Sequence, residues 1–118
     1  MEISAIAVNP DLPRKYITPT GWPVPQRPYS WGILLGDTLF ISGMVGRDVP
    51  SGELKTDSFE EQAKQAFSNV GSVLKSAGLD FRNVVSTKVY LSDARDFQAM
   101  NSIYRLYFKD TPPVRATV

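Results

Sequence analysis

The chain of 118 residues contains neither cysteine nor histidine. Without cysteine there is no disulfide framework, no thiol nucleophile and no thiolate metal site. Without histidine there is no Ser–His pair and no imidazole ligand. An excess of one charge is also missing. Thirteen Lys and Arg face twelve Asp and Glu, for a net charge of +1, and like charges do not run together. That balance argues against a nucleic-acid partner, which calls for a clustered basic face. No apolar stretch is long enough to span a bilayer. The start, Met1-Glu2-Ile3-Ser4, lacks the basic and apolar regions of a secretory signal. With no cysteine to oxidise, the expectation is a cytoplasmic protein without a membrane partner. No glycine-rich turn joins a strand to a helix, so phosphate-cradling loops are excluded as well.

What is present is enough to fold. Apolar residues make up 42% of the chain, sufficient for one core in a single domain over 1–118. Six prolines between Pro10 and Pro28 fix their own φ and restrict the residue before each. Residues 1–28 therefore read as an extended arm draped on the surface. Tyr29–Leu35 and Thr38–Gly43 read as two strands joined by Gly36-Asp37, where glycine supplies positive φ. Ser58-Phe59-Glu60-Glu61 is a capping box that opens a helix. Its apolar stripe runs through Phe59, Ala63, Phe67, Val70, Val73 and Leu74, and Gly78 closes it. Val84–Leu91 alternates with apolar residues on both faces, which predicts a central strand with neighbours on each side. Asp93 is placed to cap a second helix bearing Phe97, Met100, Ile103, Tyr104, Tyr107 and Phe108. Pro112-Pro113 ends it and Val114-Arg115-Ala116-Thr117 begins a strand. The order predicts an α+β domain, a mixed β-sheet with two helices packed on one face.

Several blocks, taken in order, resemble the RidA (YjgF) family over about residues 28–118. They are Arg27-Pro28-Tyr29-Ser30, Leu39-Phe40-Ile41-Ser42-Gly43-Met44, Gln62-Ala63 with Asn69-Val70, and Ala77-Gly78-Leu79. Val84–Leu91, Asp96-Phe97 with Met100-Asn101, and Pro113-Val114-Arg115 complete the set. The resemblance implies a chorismate-mutase-like fold and a homotrimer with ligand clefts between subunits. It implies hydrolytic deamination of reactive enamines and imines, such as 2-aminoacrylate, to a 2-keto acid and ammonia. It implies no metal and no organic cofactor.

Residue by residue, the resemblance makes Arg115 the clamp for the substrate carboxylate. A guanidinium can grip both carboxylate oxygens, an interaction of about 1.5–3 kcal/mol. The competing readings are an exposed strand arginine and an ion pair with a local Asp or Glu. Thr117 stands where many relatives have cysteine, and its backbone carbonyl would hold the attacking water whatever the side chain. Tyr29 and Ser42 would line the substrate pocket, and Asn101 would support it. Three departures stand out. Arg27 replaces a usual glycine and Met44 replaces a common glutamine. The family also continues to a further strand carrying a water-activating glutamate, for which the sequence up to Val118 offers no counterpart. Loss of such a group costs about 10²–10⁴-fold in rate, so turnover is the open question.

Two alternatives to a deaminase therefore stand. One is a non-enzymatic trimer that binds small carboxylates. The other is an endoribonuclease or translation inhibitor, as reported for some relatives. The balanced charge and missing histidine speak against the latter. Purified protein is expected to leave RNA intact on prolonged incubation. Cleavage that follows the protein through purification would reverse that exclusion.

Overall fold

The computed structural model describes residues 1–118 and has the expected α+β architecture. A three-stranded antiparallel sheet comprises β1 (Arg14–Ile17), β2 (Gly32–Leu35) and β3 (Thr38–Ile41). The first helix, α1, spans Phe59–Ser76; β4 is Ser86–Val89, α2 is Phe97–Tyr107 and β5 is Val114–Thr117. The last two strands pair in parallel, with Thr87 opposite Arg115 and Val89 opposite Thr117.

The extended arm carries a strand that was not foreseen: Arg14–Ile17, between Pro13 and Pro19, is free of proline and pairs with β2. Two further expectations are corrected. The strand expected at Val84–Leu91 is shorter and is not central. It has one neighbour, β5; the antiparallel and parallel pairings of the expected mixed architecture are both present, as a three-stranded and a two-stranded sheet. Asp93 caps a 3-10 turn over Ala94–Asp96 that feeds α2, rather than α2 itself.

Local signals account for the helices. The Ser58 hydroxyl accepts from the Glu61 amide at 3.1 Å, and Glu60 and Glu61 complement the helix N-terminus. Gly36 (φ +59°) makes the β2–β3 turn. Asp80 and Asp93 each cap a 3-10 turn and take a guanidinium two residues on, from Arg82 and Arg95. Those side-chain hydrogen bonds, with the capping amide behind them, hold both carboxyls below the ordinary carboxylate range.

Both helices cover the sheets from one side. Val73 of α1 is fully buried and packs over Gly32, where an added Cβ would come within 2.8 Å of it. Met100 and Tyr104 of α2 and Phe108 just past its end form a core cluster with Phe67, Phe81 and Val89. Phe67 stacks on Tyr107 with centroids 4.4 Å apart, joining the two helices. On the other face of the antiparallel sheet, Tyr16, Ile33 and Phe40 are directly cross-strand neighbours. Tyr16 is 62% and Phe40 38% exposed, so this row is an uncovered apolar ridge. No helix is long and apolar enough to cross a membrane.

The segment after β3 is fastened to α1 by Asn69. Its amide donates to the Val45 carbonyl at 3.0 Å and the Arg47 carbonyl at 2.7 Å, while its oxygen accepts from Gln65. Gly46 lies so close to α1 that a Cβ would sit 2.7 Å from the Gln62 backbone. Asn69→Ala is expected to cost about 1–3 kcal/mol by stranding both carbonyls. Gly46→Ala is expected to cost about 1–3 kcal/mol by overpacking. Urea unfolding of the two variants checks both, and wild-type midpoints would refute the clasp.

Candidate functional site

The parallel pairing of β5 dictates where its residues point. The Val114 and Val118 amides donate to the Val85 and Val89 carbonyls, and the Val118 carbonyl accepts from Leu91. Even-numbered residues thus direct their backbone groups at β4. By the alternation of a ladder, Arg115 and Thr117 direct theirs off the opposite edge, where no strand pairs. The Thr117 carbonyl is therefore free for a ligand or water. Its hydroxyl is buried and has no hydrogen-bond partner.

Arg115 turns its side chain onto α2. Its guanidinium carbon lies 4.7 Å from the Tyr104 ring centroid and 5.8 Å from that of Phe97, with Nη1 3.7 Å from the Met100 sulfur. Tyr104 is held in turn by a 2.8 Å hydrogen bond between its hydroxyl and that of Thr87 on β4. Arg115 makes no ion pair. The two ion pairs in the chain are Arg82–Asp80 and Arg95–Asp93. The ion-pair reading of Arg115 is thereby removed; the residue is an exposed strand arginine whose guanidinium lies over the Tyr104 ring with no acidic partner.

Between α2 and β5 lies an open cleft of about 610 Å³, lined by Arg115 and Asn101 among eight residues. None of the eight is Asp or Glu. Sequence reasoning had paired these two residues but missed two more cations in the lining, Arg105 on α2 and Lys109 just past its end. Asn101 and Arg105, four apart, lie on one helical line, whereas Lys109 follows the non-helical Phe108 and carries no such signal. Tyr104 was read only as part of the apolar stripe, since nothing local announces that its ring will carry a guanidinium.

The other expected site residues lie elsewhere. The Ser42 hydroxyl donates to the Ser30 carbonyl, and both line a smaller cleft with Ile33 and Phe40. Tyr29 is exposed and meets Trp31 edge to face at 5.4 Å, and Trp31 packs likewise on Trp22. Arg27 is exposed, and its carbonyl accepts from the Tyr29 amide. Met44 is half-buried. The two clefts share no residue. Within one chain, Arg115 and Asn101 share the larger cleft, Ser42 lines the smaller one, and Thr117 and Tyr29 line neither, Thr117 lying two residues beyond Arg115 on β5. Nowhere do three Asp or Glu side chains converge as metal ligands.

The profile of the endoribonuclease L-PSP family matches residues 21–118, beginning earlier than the quoted blocks. A human protein named 2-iminobutanoate/2-iminopropanoate deaminase is 46% identical over 105 residues, covering 89% of this chain and 77% of that one. Among solved structures, an Entamoeba histolytica protein described as a putative endoribonuclease L-PSP superposes with a TM-score of 0.83. It shows 31% identity and covers 90% of this chain and 85% of its own. Escherichia coli TdcF, solved with bound serine, gives 0.81 and 30% identity over 88% of this chain and 84% of its own.

The Tyr104 contacts are separable. Tyr104→Phe is expected to lose about 1 kcal/mol of stability with the Thr87 hydrogen bond, while keeping the ring beneath Arg115. Tyr104→Leu is expected to weaken binding of a small 2-oxo carboxylate about three- to fivefold further. Titrations of both variants compare them, and equal affinities would show that the ring does nothing for Arg115.

Proposed function

Because this chain belongs to the endoribonuclease L-PSP family, the family of the RidA proteins, we propose that it is an imine deaminase acting on small 2-imino carboxylates. The observation that carries this reading is Arg115: a stacked, unpaired guanidinium beside a cleft with no carboxylate in its wall. Such a fork suits the carboxylate next to the imine carbon. The serine bound to the TdcF relative carries a carboxylate in the same relation to its nitrogen.

In the reaction, water adds to the imine carbon, the carbon–nitrogen bond breaks, and ammonia leaves a 2-keto acid. Atoms balance without a redox step. With the carboxylate on Arg115, the outward Thr117 carbonyl would orient the water on the same strand edge. Asn101 would support the bound ligand from α2. Orientation of this kind is a large part of what an enzyme adds to a reaction that is already facile in water.

Tyr29 and Ser42 belong to the site in this reading only if another subunit supplies them. The separation of the two clefts and the exposed ridge of Tyr16, Ile33 and Phe40 both support an assembly, and we take it to be a homotrimer. One observation favours binding without turnover: the larger cleft offers no carboxylate to act as a general base.

Arg115→Ala is expected to abolish binding of 2-oxobutanoate, and unchanged affinity would remove the assignment. Wild-type protein is expected to accelerate ammonia release from enzymatically generated 2-aminoacrylate. If it binds the 2-oxo acid but gives no acceleration over buffer, it is a binding protein instead.

A further inference from the structure

The larger cleft holds more positive charge than one carboxylate requires. Arg115 lines it from β5, Arg105 from α2, and Lys109 from the segment just past the end of α2. None of the three is in an ion pair, and no acidic residue lines the space between the walls. Arg105 lies in the last turn of α2, where a cation also complements the helix dipole. The dipole accounts for a cation at that end of the helix. It does not account for a third cation facing it from a different element, nor for a volume of about 610 Å³ between them.

We infer that this cleft selects ligands with two separated anionic groups, the 2-imino and 2-oxo dicarboxylic acids, with Arg105 and Lys109 reading the distal carboxylate. The inference rests on the proposed role of Arg115 and specifies the substrate class of that same site. Cations supplied by separate segments of the lining suit two carboxylates joined by a short carbon chain better than one compact anion. Arg105, in the last turn of α2, and Lys109, just past its end, line the same cleft as Arg115, and Asn101, four residues before Arg105 on the helix, is a further polar group of that lining.

Arg105 and Lys109 are both exposed, so each contributes modestly and is screened by salt. The expected preference is about tenfold at low ionic strength. The experiment titrates wild-type protein with 2-oxoglutarate and with 2-oxopentanoate, which differ only in the distal carboxylate. It repeats both titrations on an Arg105→Gln, Lys109→Gln variant. The inference expects tighter binding of 2-oxoglutarate by wild type, and a ratio that collapses to within about twofold in the variant. Equal affinities in wild type overturn it while leaving the role of Arg115 intact, as does a ratio that survives in the variant. Failure of wild type to bind either acid overturns both readings. Phosphate displacing 2-oxoglutarate as effectively as unlabelled 2-oxoglutarate itself would mark the cleft as a general anion surface, and would also overturn the inference.

Discussion

Tyr104 is the contact on which the rest of the molecule turns. Its ring is buried in the α2 cluster and meets Phe67 of α1 edge to face. Its hydroxyl reaches Thr87 of β4, and its face carries the Arg115 guanidinium from β5. One side chain thus joins both helices to both strands of the parallel pair. Burying a tyrosine hydroxyl is unfavourable unless it is paired, so Thr87 is the condition for the ring to lie this deep. The ring, in turn, lies beneath the Arg115 guanidinium, which has no acidic partner.

Much of this was legible in the sequence, for reasons that differ by element. Ser58 and Glu61 announced α1 because capping is local chemistry, and Phe59 to Leu74 confirmed it by period. Gly36 announced its turn because only a few residues accept positive φ. Arg14–Ile17 was missed because strand pairing is set by a distant partner, Gly32–Leu35, and the surrounding prolines dominated the local signal. Val84–Leu91 was read as central because its residues are apolar on both faces, yet Val85 and Tyr90 remain largely exposed. Alternation reports what a strand could cover, and does not report what lies beside it.

The candidate site was legible in identity but not in arrangement. The resemblance picked out Arg115 and Asn101, which do share a cleft, and Tyr29 and Ser42, which line other surfaces of the chain. Such a division cannot be seen in a one-dimensional pattern, because order along the chain says nothing about which residues meet across space. Arg105 and Lys109 escaped for the opposite reason. Exposed cations are common, and only the wall facing them gives their positions meaning.

The stacking of Arg115 on Tyr104 and Met100 has a consequence for how any anion would be received. A free arginine surrenders considerable rotamer freedom when it grips a ligand. Here Arg115 remains exposed but lies against Tyr104 and Met100, both buried, so part of that freedom is already restricted on folding. That restriction depends on the packed α2 cluster rather than on a mobile loop. A ligand carboxylate held by Arg115 would meet a cation whose seat lasts as long as the core beneath it stays closed.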